Sequence, residues 1–149
     1  MQRLAINGGS PVRYNMLPYG RQSIGSDDIH AVTSALCEDF ITTGPLVKEF
    51  EQEFAVRVNA KYAVAVSSGT AALHAIMGAI DIVSWEEVIV PTMTFAATAN
   101  SVKYCGGTPV FVDVNPDTLL IDPDKVRDAI TSKTAAIVAV DYAGHPCDY

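Results

Sequence analysis

Basic residues are scarce in this chain of 149: ten Lys and Arg stand against seventeen Asp and Glu, a net charge of −7. A chain of that sign carries no footprint for a phosphate backbone, so nucleic acid is excluded as an expected partner. Cysteine is also sparse. Cys37, Cys105 and Cys147 are odd in number and widely spaced, which matches neither a disulfide framework nor a Cys-x-x-Cys zinc knuckle, and all three are expected as reduced thiols. No histidine pair stands at metal-ligand spacing, because His30, His74 and His145 are far apart, so no metal site is expected. No stretch approaches the roughly 18 uninterrupted apolar residues that span a bilayer. The opening MQRLAINGGSPVR lacks the basic-then-apolar layout of a signal peptide, so no membrane partner and a cytoplasmic location are expected. With only 18% charged residues against 49% hydrophobic ones, the composition also excludes disorder.

What is present is an alternation of short apolar runs with segments of helical period, the pattern of βαβ units. Residues 1–25 hold Gly8, Gly9, Pro11, Pro18, Gly20 and Gly25, too much punctuation for a long element, and read as an amino-terminal arm. Residues 26–149 read as one domain. Ser26 is placed to cap a helix from about Asp27 to Asp39, with Ile29, Val32, Leu36 and Phe40 as its apolar stripe. Thr42, Thr43 and Gly44 break it. Pro45 then suits the first turn of a second helix with Val47, Phe50, Phe54 and Val58 inward. Strands are expected at Tyr62–Val66, Val88–Val90, Pro109–Val114 and Ala135–Val140, all nearly continuous in apolar residues, as strands buried on both faces are. Helices are expected between them, with Leu73, Ile76, Met77 and Ile80 on one face, from about Phe95 to Tyr104, and from an Asp122 cap with Pro123 behind it. The expected fold is a three-layer α/β sandwich on a parallel sheet.

Two places carry chemistry. The first strand runs into Ser67, Ser68, Gly69 and Thr70 at a helix start, where backbone N–H groups lack internal partners and the dipole favours an anion. A phosphate fits there, with Gly69 permitting close approach and the Ser68 and Thr70 hydroxyls adding hydrogen bonds. The bland alternative is that Ser68 only caps the helix. There is no Gly-rich run with a lysine and no G-x-G-x-x-G, which leaves nucleoside triphosphates and dinucleotides without support. The second place is Phe95, which follows the Val88–Val90 strand and so lies at the same carboxyl edge of the sheet, where a flat ring could stack on it. Taken alone, such a ring is more often a core residue. Asp113 and Asp141 end the third and fourth strands and read either as an acid–base pair or as turn caps, the second reading being the stronger.

Five stretches together resemble one family. TTGPLVKEFEQEF (42–54), KYAVAVSSGTAALHA (61–75), EEVIVPTMTFAATANSV (86–102), TPVFVDVNPDT (108–118) and DYAGHPCDY (141–149) resemble, in order, the DegT/DnrJ/EryC1/StrS sugar aminotransferases. The resemblance implies the amino-terminal part of the large domain of the pyridoxal-phosphate-dependent aspartate-aminotransferase fold, fold type I. It assigns Ser68, Gly69 and Thr70 to the cofactor phosphate and Phe95 to the pyridine ring, and it puts Thr43 and Gly44 in the substrate region. It implies amino transfer from an amino acid, commonly glutamate, to a nucleotide-linked 4-keto-6-deoxy sugar, in a homodimer when full length. GRQSIGSDDI (20–29) and AGHPCD look closest to the branch that forms UDP-4-amino-4,6-dideoxy-N-acetyl-altrosamine on the route to pseudaminic acid.

In the family the Schiff-base lysine and the acidic partner of the ring nitrogen follow the AGHPCD run, where this chain ends at Tyr149. None of Lys48, Lys61, Lys103, Lys125 and Lys133 matches the catalytic position, so no catalytic residue is assigned and the chain is expected to be inactive alone. Two other readings stay open: a catalytically dead α/β remnant that binds phosphate, and a relative of the family's dehydratases, which carry histidine in place of the lysine. The expected strand at Tyr62–Val66 would pair with a strand supplied later, so a chain of this length is expected to be poorly soluble or oligomeric.

Overall fold

The computed structural model describes residues 3–18 and 20–149; Met1, Gln2 and Tyr19 of the expected arm lie outside the described residues. Two compact units divide between Ala63 and Val64. In the first, the described residues of the arm contain a single 3₁₀ turn, Ala5–Asn7, closed by Gly8 at φ +84°. Helix α1 spans Ser26–Leu36 and α2 spans Pro45–Arg57. Gly25 rather than Ser26 is the cap of α1: the Asp28 carboxylate accepts the Gly25 N–H at 2.7 Å, which closes the turn from the other side. Pro45 begins α2 as expected, since its missing N–H is no loss in a first turn. The stripes expected to face inward are not buried. Ile29, Val32, Leu36 and Phe40 are all exposed, as are Val47, Phe50, Phe54 and Val58, and α2 buries only Ala55. Periodicity groups those residues on one face of each helix, but nothing in this unit covers the faces.

The second unit is α/β. Its elements are α3 (Gly69–Ala79), β1 (Glu87–Pro91), α4 (Ala97–Tyr104), β2 (Thr108–Val112), α5 (Pro123–Ala129) and β3 (Thr134–Ile137), followed by a 3₁₀ turn at Tyr142–Gly144. The sheet has the order β2-β1-β3 and both pairings are parallel, with Val88 opposite Pro109 on one side and Ala136 on the other. Central β1 is buried from Val88 to Pro91. The edges differ from expectation, since Phe111 of β2 and Ile137 of β3 are exposed while their neighbours turn inward. An edge strand has one flank without a ladder, and here one face is only partly covered as well.

Residues 62–66 form no strand, which corrects the expected first strand. Both flanks of β1 are taken by β2 and β3, and the segment joins the outer edge of neither. Its larger apolar side chains, Tyr62, Val64 and Val66, stay exposed, Val64 at 79%, while Ala63 and Ala65 are half-buried. The core lies instead between α3, α4 and β1, where Met77, Ile82, Val88, Val90 and Val102 meet, with Ala136 and Val138 packed against them. Gly107 makes this possible by close approach: a Cβ there would stand 2.6 Å from Ile82 Cγ2 and 3.0 Å from Val102 Cγ1. Asp122 caps α5 as expected, accepting from the N–H groups of Asp124 at 2.9 Å and Lys125 at 3.4 Å.

Candidate cofactor-phosphate site

Ser68 precedes α3 with an extended backbone, φ −166° and ψ 162°, and its Oγ accepts the Ala71 N–H at 3.1 Å. The capping reading is therefore correct as far as it goes. It does not compete with anion binding, because a hydroxyl that accepts a cap bond keeps its own proton to donate. The Ser68 carbonyl takes the Ala72 N–H at 3.0 Å, so by helix geometry the donors left facing outward are those of Gly69 and Thr70. A Cβ built on Gly69 would meet no atom within 4 Å. Nothing in the chain requires glycine at that position, and the space is open to a ligand atom.

This helix start opens on a cavity of about 460 Å³, within the usual range for a small-molecule site, whose lining includes Gly69, Thr70, Leu73, Ile76 and Phe95. Three of the four expected cofactor residues thus meet in one cavity, and Ser68 adjoins them as the cap. Phe95 is 79% exposed, a large apolar ring that its own chain leaves unpacked. It sits on a turn between β1 and α4. The turn is held at its start by the Thr92 N–H on the Val112 carbonyl, 2.9 Å, and by the Thr92 hydroxyl on Asp113 Oδ1, 3.2 Å. At its far end the Thr98 N–H donates to the Phe95 carbonyl at 3.0 Å, and the hydroxyls of Thr94 and Thr98 lie 2.7 Å apart. The threonine pair was not singled out by sequence reasoning; its one signal is the i, i+4 spacing across a helix start.

Asp113 follows the end of β2, whereas β3 stops at Ile137 and so leaves Asp141 beyond the strand it was expected to end; both carboxylates act as turn caps. Asp113 accepts from Thr92 and from its neighbour's N–H, Val114, at 2.9 Å. Asp141 Oδ1 accepts the Cys147 N–H at 2.9 Å and the Tyr149 hydroxyl at 2.7 Å. These bonds, the Cys147 N–H first, hold the Asp141 carboxyl below its ordinary value, and the same carboxylate pushes the Tyr149 phenol up to about 12. Burial, with the nearby Asp141, raises the Cys147 thiol. Thr43 and Gly44 belong to the first unit. Thr43 stands at φ +53°, a strained conformation for a β-branched residue, and a Cβ on Gly44 would stand 2.6 Å from the Phe40 carbonyl oxygen. All three cysteines are free. Among the described residues no group of acidic, histidine and cysteine side chains is placed to hold a metal, and no helix is long and apolar enough to cross a membrane.

The structure thus brings a helix start with outward N–H groups and an exposed aromatic ring together on one cavity, at the carboxyl edge of a parallel sheet. Residues 22–149 match the DegT/DnrJ/EryC1/StrS aminotransferase family, and the chain belongs to it. It is 45% identical over 136 residues to the spore coat polysaccharide biosynthesis protein SpsC of Bacillus subtilis, a match that covers 91% of this chain and 35% of that protein. Among solved structures it is similar to Spr1654 from Streptococcus pneumoniae, known in PMP, PLP and apo forms. In the PLP form the TM-score is 0.83 at 37% identity, over 89% of this chain and 34% of that one. It is also similar to the aminotransferase from Psychrobacter cryohalolentis, with a TM-score of 0.80 at 40% identity over 88% of this chain and 34% of that one. The fold is that of the amino-terminal part of these fold type I enzymes, and the chain spans about a third of their length.

Proposed function

We propose that this chain supplies the cofactor-phosphate half of a pyridoxal-phosphate-dependent sugar aminotransferase. The observation that carries the proposal is the meeting of Gly69, Thr70 and Phe95 on one cavity, with Ser68 as the cap beside it. The Gly69 and Thr70 N–H groups and the Ser68 and Thr70 hydroxyls hold the phosphate, while Phe95 covers one face of the pyridine ring and restricts its tilt. When bound, pyridoxal phosphate supplies an electron sink through which an amino group is moved between an amino acid and a keto sugar. The chain's own residues bind and orient that group.

For the whole protein the substrate is a nucleotide-linked 4-keto-6-deoxy sugar and the donor an amino acid, with glutamate the first choice. SpsC, by name a polysaccharide biosynthesis protein, and Spr1654, a sugar aminotransferase by provisional assignment, support a sugar substrate. The pseudaminic acid branch, with UDP-4-amino-4,6-dideoxy-N-acetyl-altrosamine as product, is the specific form of this reading, and a homodimer is its assembly. Thr43 and Gly44 belong to the substrate region in this scheme, and the strain at Thr43 is what a binding loop stores. The phosphate-binding remnant is the second reading; it needs only the Gly69 and Thr70 N–H groups at the capped start of α3.

Pyridoxamine phosphate is the appropriate probe, since its amine cannot attach itself to surface lysines. Its fluorescence should change on binding, inorganic phosphate should compete, and Phe95→Ala should weaken binding without lowering stability. Binding unaffected by both phosphate and Phe95→Ala would overturn the reading.

A further inference from the structure

Phe95 gains almost no orientation from packing, because its ring is 79% exposed. Whatever aims it must act through the backbone of its turn. The start of the turn is tied to β2 by Thr92. Its far end is tied to α4 by two bonds to one residue, Thr98, whose N–H reaches the Phe95 carbonyl and whose hydroxyl meets that of Thr94. Thr98 is 5% exposed. A hydroxyl at such a position is costly unless it is paired, and valine would fill the same volume in the first turn of a helix at no polar cost. Ser101, also buried, spends its hydroxyl on the Thr98 carbonyl within its own helix and does nothing for the turn. Thr98 alone sends its side chain out of the helix to the residue that precedes Phe95.

We infer that Thr98 is a positioning residue for Phe95: its buried hydroxyl, bonded to Thr94, locks the turn that presents the ring to the cavity. The inference rests on the cofactor reading for what Phe95 does, but the locking itself is a property of the chain. Thr98→Val removes the hydroxyl at constant shape, and Thr98→Ser restores it. Amide hydrogen exchange in the 149-residue chain reads the lock directly at position 98, bonded to Phe95, and at Asn100, bonded to the Ala96 carbonyl at 3.0 Å. After correction for intrinsic rates, exchange at both should rise roughly three- to tenfold in Thr98→Val, the loss of one net hydrogen bond, and return in Thr98→Ser. The amides of β1, which report global opening, should not follow. Pyridoxamine phosphate should bind more weakly to Thr98→Val, while affinity for inorganic phosphate, held at Gly69 and Thr70, stays as in the parent. Unchanged exchange at 98 and 100, or an equal rise throughout β1, overturns the inference. A rise confined to 98 and 100 in a chain that binds no pyridoxamine phosphate upholds the lock and removes the cofactor reading instead.

Discussion

Ser68 caps α3 and, in the proposed function, also contacts the phosphate, two roles that a pair of substitutions separates. Ser68→Ala removes the acceptor of the 3.1 Å bond from the Ala71 N–H and leaves a donor of α3 unsatisfied. An N-cap loss of this kind costs about 1 kcal/mol. For a unit the size of residues 64–149, that lowers Tm by roughly 4–8 °C. It also removes one hydroxyl from the anion cradle, worth about fivefold in phosphate affinity for a bond of about 1 kcal/mol. Ser68→Asp behaves oppositely on the two axes. Its carboxylate can accept the same N–H, and a negative charge at a helix start is itself favourable by about 0.3–1 kcal/mol, so Tm should hold or rise. The same charge faces the phosphate. Two unit charges about 4 Å apart near a surface repel by about 4 kcal/mol before salt screening, so affinity should fall at least tenfold (~1.4 kcal/mol) even in an exposed site. Thermal melts followed by far-ultraviolet circular dichroism give the first axis. Tryptophan fluorescence would serve poorly, because Trp85 is 70% exposed when folded. Isothermal titration with inorganic phosphate gives the second. If stability and affinity fall together in Ser68→Asp, or if that variant binds phosphate like the parent, the cradle is not where the anion sits.

Other predictions follow from the same geometry. The Tyr149 phenol should titrate near 12 rather than its ordinary 10.0, read as the phenolate absorbance difference from Tyr149→Phe, and should return toward 10.0 in Asp141→Asn. Because Tyr149 is raised and Asp141 lowered, their contact stabilises the carboxyl-terminal turn fully between 3.8 and 10.0, weakening as the pH falls below the first or climbs toward 12. An unshifted phenol would show that the bond does not persist in solution. The exposed Tyr62, Val64 and Val66 should drive concentration-dependent association in sedimentation velocity, and Val64→Lys should reduce it with no more than about 0.5 kcal/mol change in stability; equal association in the variant would place the sticky surface elsewhere. In the core, Ile89→Ala should cost about 2–5 kcal/mol in urea denaturation. Gly107→Ala should cost about 1–3 kcal/mol by forcing Ile82 and Val102 apart, and a neutral result would mean that this contact is looser than the 2.6 Å approach implies.

Much of the second unit was legible because its signals are local. Asp122 and Pro123 announce α5, and the apolar run Val88–Val90, bounded by Glu86 and Glu87 before it and Thr92 after it, announces a buried strand. The Ser-Gly-Thr helix start was legible for the same reason, since a cap and its free N–H groups depend on a few consecutive residues. Features that need a distant partner were not legible. Tyr62–Val66 has the composition of a strand, but a strand exists only in a ladder, and its apolarity says nothing about which edge it joins. The stripe of Ile29, Val32, Leu36 and Phe40 shows which residues share a face and leaves open what covers it. The Thr94–Thr98 bond was hidden differently: threonine four residues from threonine is common, and only burial of the second one gives the pair its meaning.

The layout also explains why the candidate site forms without residues 62–66 in the sheet. Helix α3 is tied to the core through Met77, which packs with Val102 of α4 and with Val88 and Val90 of β1. Gly69 lies about 12 Å along the helix from that anchor, at 1.5 Å per residue. Between them Leu73 is only half-buried and Ile76 is exposed. The start of α3 is less deeply packed than its Met77 end: Thr70, Ala71, Ala72 and Leu73 are half-buried, and the Ser68 cap adds the local bond that shapes the turn. Phe95 is built on the opposite wall under the same economy, an unpacked ring aimed by a hydrogen-bonded turn. A cavity with a partly packed helix start and an exposed ring has the right groups in place, while the ring itself has little packing around it. A ligand that bridges cradle and ring therefore supplies contact that the chain lacks. Stabilisation of the second unit by pyridoxamine phosphate should accordingly exceed that by inorganic phosphate at equal site occupancy. Equal stabilisation by the two would mean that the phosphate end alone is engaged and Phe95 is a bystander.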